Sequence, residues 1–236
     1  FIHQVKMDAQ FGNTFVNSDD IAFFAPALSS WKKEITLKGN VRGTVDNLVA
    51  TDLVVNAGKS TMLNGDISLT GLPDINQTFI DFKANDFRTT YRDAVAIVPA
   101  INKVKAPDIS KIQYVNFTGS FTGFIRDFVT FGTIRTNLGN ITSDLNMKLP
   151  IGQEPAYSGN IATDNFRLGE FLNNKSVGTL SMKGTLKGRG FNEKTRNTLL
   201  DGDIKFVDYN DYRYSNIKVK GTLNKKLFQG LASIND

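Results

Sequence analysis

Apolar and polar residues alternate with a period of two along most of this chain. In Ile35-Thr36-Leu37-Lys38-Gly39-Asn40-Val41-Arg42-Gly43 every odd position is apolar or glycine and every even position is polar. Successive side chains of a strand point to opposite faces, so this segment reads as a strand with one dry and one wet face. The alternation returns around Ile67 and Leu69, around Phe117 and Phe121, and around Leu145 and Met147. It recurs through Leu180, Met182 and Leu186, and again through Ile217, Val219 and Leu223. Leu53 with Val55, and Ile204 with Phe206, keep the same spacing. Turn chemistry such as Asn64-Gly65 and Asp201-Gly202 separates these segments. The expectation is an all-β chain of half-buried antiparallel strands.

A short motif repeats within the alternation. Leu37 to Gly43, Phe117 to Gly123 and Met182 to Gly188 all read apolar-x-Gly-x-apolar-x-Gly, and Val219-Lys220-Gly221-Thr222-Leu223 is a shorter echo. Recurrence of one sheet-forming unit predicts a stack in which each unit leans on its neighbours, with units at about residues 35–110, 115–175 and 180–236. Three segments break the rhythm and predict short helices. They are Ile21–Phe24 after Ser18 or Asp19, Tyr91–Ile97 between Thr90 and Pro99, and Arg167–Leu172. No Pro/Ser-rich linker divides the chain, so residues 1–236 are expected to be one continuous β segment. Because the chain opens on Phe1, it reads as an internal piece of a longer polypeptide.

Composition narrows the chemistry. The 236 residues include no cysteine, which removes disulfides and thiolate metal sites. The net charge is +5. Lys and Arg are scattered singly along alternating strands, which predicts a solvated outer face and no nucleic-acid patch. The longest apolar runs, Ile21–Leu28 and Ala94–Ile101, are far short of the roughly twenty residues that span a bilayer.

Catalytic and metal sites find no support in the residues. His3 is the one histidine, and it stands near the start, away from any triad pattern. Gly58-Lys59-Ser60 resembles the tail of a phosphate loop, but Leu53 replaces the required first glycine. Gly188-Arg189-Gly190 opens a dinucleotide fingerprint that Glu193 breaks, so it reads as a turn. Asp201, Asp203, Asp208 and Asp211 cluster in sequence, but a calcium loop from Asp208 would need Gly and Glu where Arg213 and Val219 stand. That cluster reads as an exposed turn. No catalytic residue, metal site or cofactor is expected.

What remains is the dry face. A second sheet can cover it as a sandwich, or the sheet can curl and leave an apolar trough, and the pattern alone leaves both open. Ser18-Asp19-Asp20-Ile21-Ala22-Phe23-Phe24-Ala25-Pro26-Ala27-Leu28 leads into the first glycine unit. Gly71-Leu72-Pro73-Asp74-Ile75, Phe79-Ile80-Asp81-Phe82 and Asn165-Phe166-Arg167-Leu168-Gly169-Glu170-Phe171-Leu172 follow in order. Val177-Gly178-Thr179-Leu180, Tyr212-Arg213, Gly221-Thr222-Leu223 and Phe228-Gln229-Gly230 complete the series. Taken in this order over nearly the whole chain, the series resembles the TamB proteins of Bacteroidetes, members of the AsmA-like superfamily of bridge-like envelope proteins.

The resemblance implies an elongated, twisted, taco-like antiparallel sheet with an apolar interior and a few short helices. It implies a periplasmic location in a Gram-negative envelope and an inner-membrane anchor outside this chain. It further implies contact between the full protein and an outer-membrane barrel of the TamA or TamL type. On this reading phospholipid moves along a groove lined by Leu37, Val41, Leu53, Val55, Ile67, Leu69, Phe117 and Phe121. The lining would continue through Leu145, Met147, Leu180, Met182, Leu186, Ile204, Phe206, Ile217, Val219 and Leu223. The rival readings are a scaffold for outer-membrane protein assembly, in which a sheet edge pairs with an incoming strand, and a carbohydrate-binding β protein with exposed aromatic platforms.

Overall fold

The computed structural model describes residues 2–21, 34–103 and 108–235. Their strands are β1 (Met7–Asn17), β2 (Glu34–Thr44), β3 (Asn47–Ala57), β4 (Thr61–Thr70), β5 (Phe79–Thr90) and β6 (Tyr114–Phe124). They continue as β7 (Asp127–Thr136), β8 (Gly139–Lys148), β9 (Ala156–Phe166), β10 (Val177–Arg189), β11 (Asn197–Tyr209), β12 (Tyr212–Asn224) and β13 (Leu227–Ile234). The thirteen form one antiparallel sheet in strict chain order, with β1 and β13 as its edges, so it does not close into a barrel.

The chain divides into two compact units. Unit 1 holds β1 to β6, and unit 2 holds nearly all of β7 together with β8 to β13. Short helices follow every fourth strand: α1 (Ser18–Ile21) after β1, α2 (Tyr91–Ile97) after β5 and α3 (Leu168–Leu172) after β9. The glycine motif occupies β2, β6 and β10, the strand that comes after each helix.

Each helix has a local cause. The Asp19 N–H donates to Asn17 Oδ1 at 3.3 Å, and α1 starts at Ser18, so Asn17 takes the place expected of Ser18 or Asp19. The rest of the helix expected at Ile21–Phe24 lies outside the described residues. At α2 the Thr90 hydroxyl accepts from the Asp93 N–H, and the Asp93 carboxylate accepts from the Lys59 and Ser60 N–H groups at 3.0 and 2.6 Å. One acid thus ties the helix to the β3–β4 turn. α3 ends on Asn173 in the left-handed region, φ 53°, a conformation asparagine tolerates. Beside it Leu138 is fully buried, and Phe166 meets Phe171 edge-on at 5.8 Å.

Two expected turns are strand interiors. Asn64-Gly65 lies inside β4 and Asp201-Gly202 inside β11. Gly65 answers to close backbone approach: a Cβ there would stand 2.0 Å from the Lys83 carbonyl oxygen of the next strand. The acidic cluster is corrected with it, because Asp201, Asp203 and Asp208 stand on β11 and only Asp211 is in a turn.

Seven of the described strands contain a three-residue step where the alternation needs two. The steps run from Phe11 to Thr14 on β1, Ala50 to Leu53 on β3 and Ala84 to Phe87 on β5. In unit 2 they run from Thr163 to Phe166 on β9, Val177 to Leu180 on β10, Ile204 to Val207 on β11 and Tyr214 to Ile217 on β12. These are bulges, and Asn13, Asp52, Asn165 and Asn216 adopt positive φ at four of them.

Asp52 gives a direct test of the bulge. Its φ of 52° suits glycine, and the Asp52 N–H that donates to Asp66 survives the exchange. Asp52→Gly is expected to change stability by less than about 1 kcal/mol. Deleting Asp52 leaves the two-residue step that plain alternation needs, so Leu53 and Val55 stay on the dry face. The variant is expected to keep cooperative unfolding of unit 1 in urea, at a cost below about 3 kcal/mol.

Candidate functional site

Residues directly opposite on antiparallel strands share a face, so the register fixes which side chains meet. In unit 1 one row crosses all six strands as Ala9, Val41, Ala50, Ile67, Phe82 and Phe121. A second runs Thr14, Leu37, Val55, Leu63, Phe87 and Phe117, and a third Met7, Gly43, Leu48, Leu69, Ile80 and Gly123. The opposite face carries Asp8, Arg42, Asn40, Asn64, Asp66, Lys83, Asp81 and Thr122. The bulges on β1, β3 and β5 lie between the first two rows, and both rows stay on one side.

Unit 2 repeats the arrangement. Ile141, Thr163, Met182, Ile204, Ile217 and Ile234 form one row. Leu145, Gly159, Leu186, Leu200, Gly221 and Gly230 form another, and Met147, Tyr157, Gly188, Thr198, Leu223 and Phe228 a third. Ser143, Ile161, Gly184, Gly202, Val219 and Ala232 lie between. Beyond the bulges the apolar side continues with Phe166, Leu180, Val207 and Tyr214.

Most of these side chains are half-buried. Among the sequence-predicted positions only Leu53, Phe206, Ile217 and Val219 are buried. Leu37, Val41, Val55, Ile67, Leu69, Phe117 and Phe121 are shielded by neighbours on their own face and keep part of their surface open. So do Leu145, Met147, Leu180, Met182, Leu186, Ile204 and Leu223. An apolar surface of this extent is the kind that takes an apolar ligand or partner.

Within each unit the predicted positions gather on one face, with one exception. Phe206 follows the β11 bulge and pairs with Ser181, while Val207 pairs with Leu180. Phe206 therefore lies on the polar side, where the Arg213 guanidinium sits 4.0 Å above its ring. The even spacing of Ile204 and Phe206 concealed the extra residue between them. Sequence reasoning also left out Ala9, Phe11, Leu63, Ile80, Phe82, Phe87 and Leu200. Met7-Asp8-Ala9-Gln10-Phe11 does alternate, and its signal stops at the β1 bulge.

The polar face of unit 2 carries a depression of 930 Å³ that reaches from Phe131 on β7 to Leu231 on β13. Lys183, Lys218 and Lys220 stand in it against Asp144, Asp201 and Asp203. Lys220 meets Asp201 at 2.8 Å, and that hydrogen bond raises the lysine above its ordinary range. Its charges balance, which leaves no net attraction for an ion of either sign. His3 Nδ1 lies 2.6 Å from Asp46, whose carboxyl the Thr44 hydroxyl and then His3 hold below its usual range. This pair staples residues 2–4 to the β2–β3 turn. Among the described residues no group of three or more His, Asp or Glu is placed to hold a metal ion, and no helix is long and apolar enough to cross a membrane.

No family model, curated protein or solved structure matches the chain. The geometry of the two apolar faces is thus the evidence on which a function rests.

The Phe206 cover is testable by pH. Arg213 donates to Asp208 at 2.7 and 3.0 Å and holds its carboxyl below the ordinary value of 3.8. A depressed carboxylate contributes stability above its unfolded pKa and loses it as pH falls through the folded one. Asp208→Asn is expected to lower the thermal midpoint at neutral pH. In melts below about pH 4 the difference from wild type is expected to shrink and vanish.

Proposed function

We propose that this chain is a segment of a bridge-like periplasmic protein of the TamB kind, and that its apolar face conducts phospholipid between the inner and outer membranes. The observation that supports this reading is the set of mainly apolar rows, which cross every strand of unit 1 and β8 to β13 of unit 2. The order of motifs that resembles the TamB proteins adds to it.

A lipid leaving a bilayer must keep its acyl chains out of water. Each CH₂ that stays covered is worth about 0.8 kcal/mol, so two chains of ordinary length are costly to expose. A face of half-buried Leu, Ile, Met and Phe accepts such chains anywhere along a row. The headgroup remains in solvent. Nothing in the transfer needs a covalent step, a cofactor or a metal; movement is passive, and direction comes from elsewhere. In the full protein a barrel of the TamA or TamL type is the proposed outer-membrane partner.

The second reading is a scaffold for outer-membrane protein assembly, in which a sheet edge pairs with an incoming strand.

Photo-crosslinkers at Phe121 and Met182 in cells separate the two. Phospholipid adducts at both positions are expected of a conduit, and adducts to nascent barrel proteins alone would refute it. Phe121→Arg and Met182→Arg place a charge in a row. Each is expected to reduce co-purifying phospholipid by at least tenfold while the far-ultraviolet β spectrum is kept.

A further inference from the structure

At one end of unit 2, β8 turns into β9, β10 into β11 and β12 into β13. The three connections are tied to one another. The Gly190 N–H donates to the Pro155 carbonyl at 2.9 Å, and the Tyr157 hydroxyl to the Gly190 carbonyl at 3.2 Å. The Lys225 N–H donates to the Arg196 carbonyl, and the Arg196 guanidinium returns a bond to the Lys225 carbonyl, both at 2.7 Å. Tyr157 stacks on Phe191 at 5.5 Å. The result is a braced platform.

Its charge is one-sided. The strand ends carry Lys148, Lys187 and Arg189, and the loops add Lys194, Arg196, Lys225 and Lys226. Glu154 and Glu193 are the acids in the same stretches. Seven cations against two acids leave +5, equal to the net charge of the whole chain. Lys226 meets Glu193 at 3.0 Å. Lys148, Lys187 and Arg189 line a depression of 580 Å³ beside Asn146, Ser158 and Asn197, with no carboxylate on its wall. Residues that the sequence scatters are brought together by the register, since Lys148 and Arg189 are both opposite Ala156.

The same end exposes apolar side chains. Ile151 is 79% exposed, Leu227 61%, Leu199 49% and Phe191 41%. Phosphates of a nucleic acid would satisfy the cations, and bases can stack on Phe191, but Ile151 and Leu227 gain nothing there. An anionic bilayer surface suits both groups: headgroup phosphates meet the cations, and apolar tips enter the boundary with the acyl chains. We infer that this loop end of unit 2 docks on the surface of a membrane containing anionic phospholipid. The inference stands whether or not the apolar rows carry acyl chains.

Co-sedimentation of the chain with lipid vesicles tests it. Binding to phosphatidylcholine vesicles that contain phosphatidylglycerol is expected, with little to phosphatidylcholine alone, and added salt is expected to weaken it. One cation near such a surface is worth about fivefold in affinity. Lys187→Gln, Arg189→Gln and Lys194→Gln combined are therefore expected to weaken binding about a hundredfold. Ile151→Asp with Leu227→Asp is expected to weaken it as well. A charge-matched control, Lys175→Gln, Lys205→Gln and Lys218→Gln, is expected to bind as wild type does to within tenfold. Circular dichroism of each variant confirms that it folds. Equal binding to both vesicle types overturns the inference, as does an equal loss in the control. Retention on duplex DNA without vesicle binding overturns it in favour of a nucleic acid.

Discussion

A β-strand has two faces, and one inserted residue exchanges them for everything that follows. This constraint governs the chain. Seven of the described strands carry an extra residue, and each time the residues on both sides of it still point the same way. On β3 the step runs from Ala50 to Leu53, on β5 from Ala84 to Phe87, and on β9 from Thr163 to Phe166. The sequence period and the bulge must therefore be matched within each strand. Asparagine or aspartate with positive φ stands at the bulges of β1, β3, β9 and β12, where a short polar side chain tolerates the left-handed backbone. A bulge also sharpens the local twist, so the same residues that keep the faces separate bend the strands.

Stability follows from the same arrangement. A sandwich buries side chains between two layers; here most apolar side chains are only half-buried and lean on same-face neighbours. Among the described residues, buried apolar side chains are few, Leu53, Ala84, Leu138 and Val219 among them. The backbone ladder and these lateral contacts hold each unit together. Caps close its strand ends, with Asp93 binding three groups of the β3–β4 turn in unit 1. In unit 2 the Arg167 N–H reaches the Leu138 carbonyl at 2.7 Å. A stable unit that leaves its apolar rows partly open is what a surface for acyl chains requires.

The strand segments and the identity of the dry face were legible in the sequence because alternation is local. Leu37 and Val41, or Met182 and Leu186, declare their face within five residues. The bulges were not legible, since an extra residue is visible only against a partner strand. That is why Phe206 was placed with Ile204, and why Phe82 and Phe87 on β5 went unassigned. Asn64-Gly65 misled in a related way. Glycine before a turn and glycine beneath a neighbouring carbonyl look alike in one dimension, and the Lys83 oxygen that excludes a side chain at Gly65 comes from another strand.

Charge shows the same limit more sharply. Lys148, Lys187 and Arg189 are separated by up to forty-one positions in sequence, and read singly each is the solvated side chain of an alternating strand. Register places Lys148 and Arg189 on either side of Ala156, whose small side chain leaves the dip between them. The neutral depression around Lys220 is made of the same residue types, yet Asp144, Asp201 and Asp203 cancel its charge. The difference between the two places is therefore which strand each carboxylate occupies, not how many charges the chain has. An end that is cationic and apolar at once has a physical use that neither feature has alone. Long-range attraction concentrates it at an anionic surface, and short apolar tips hold it there against salt.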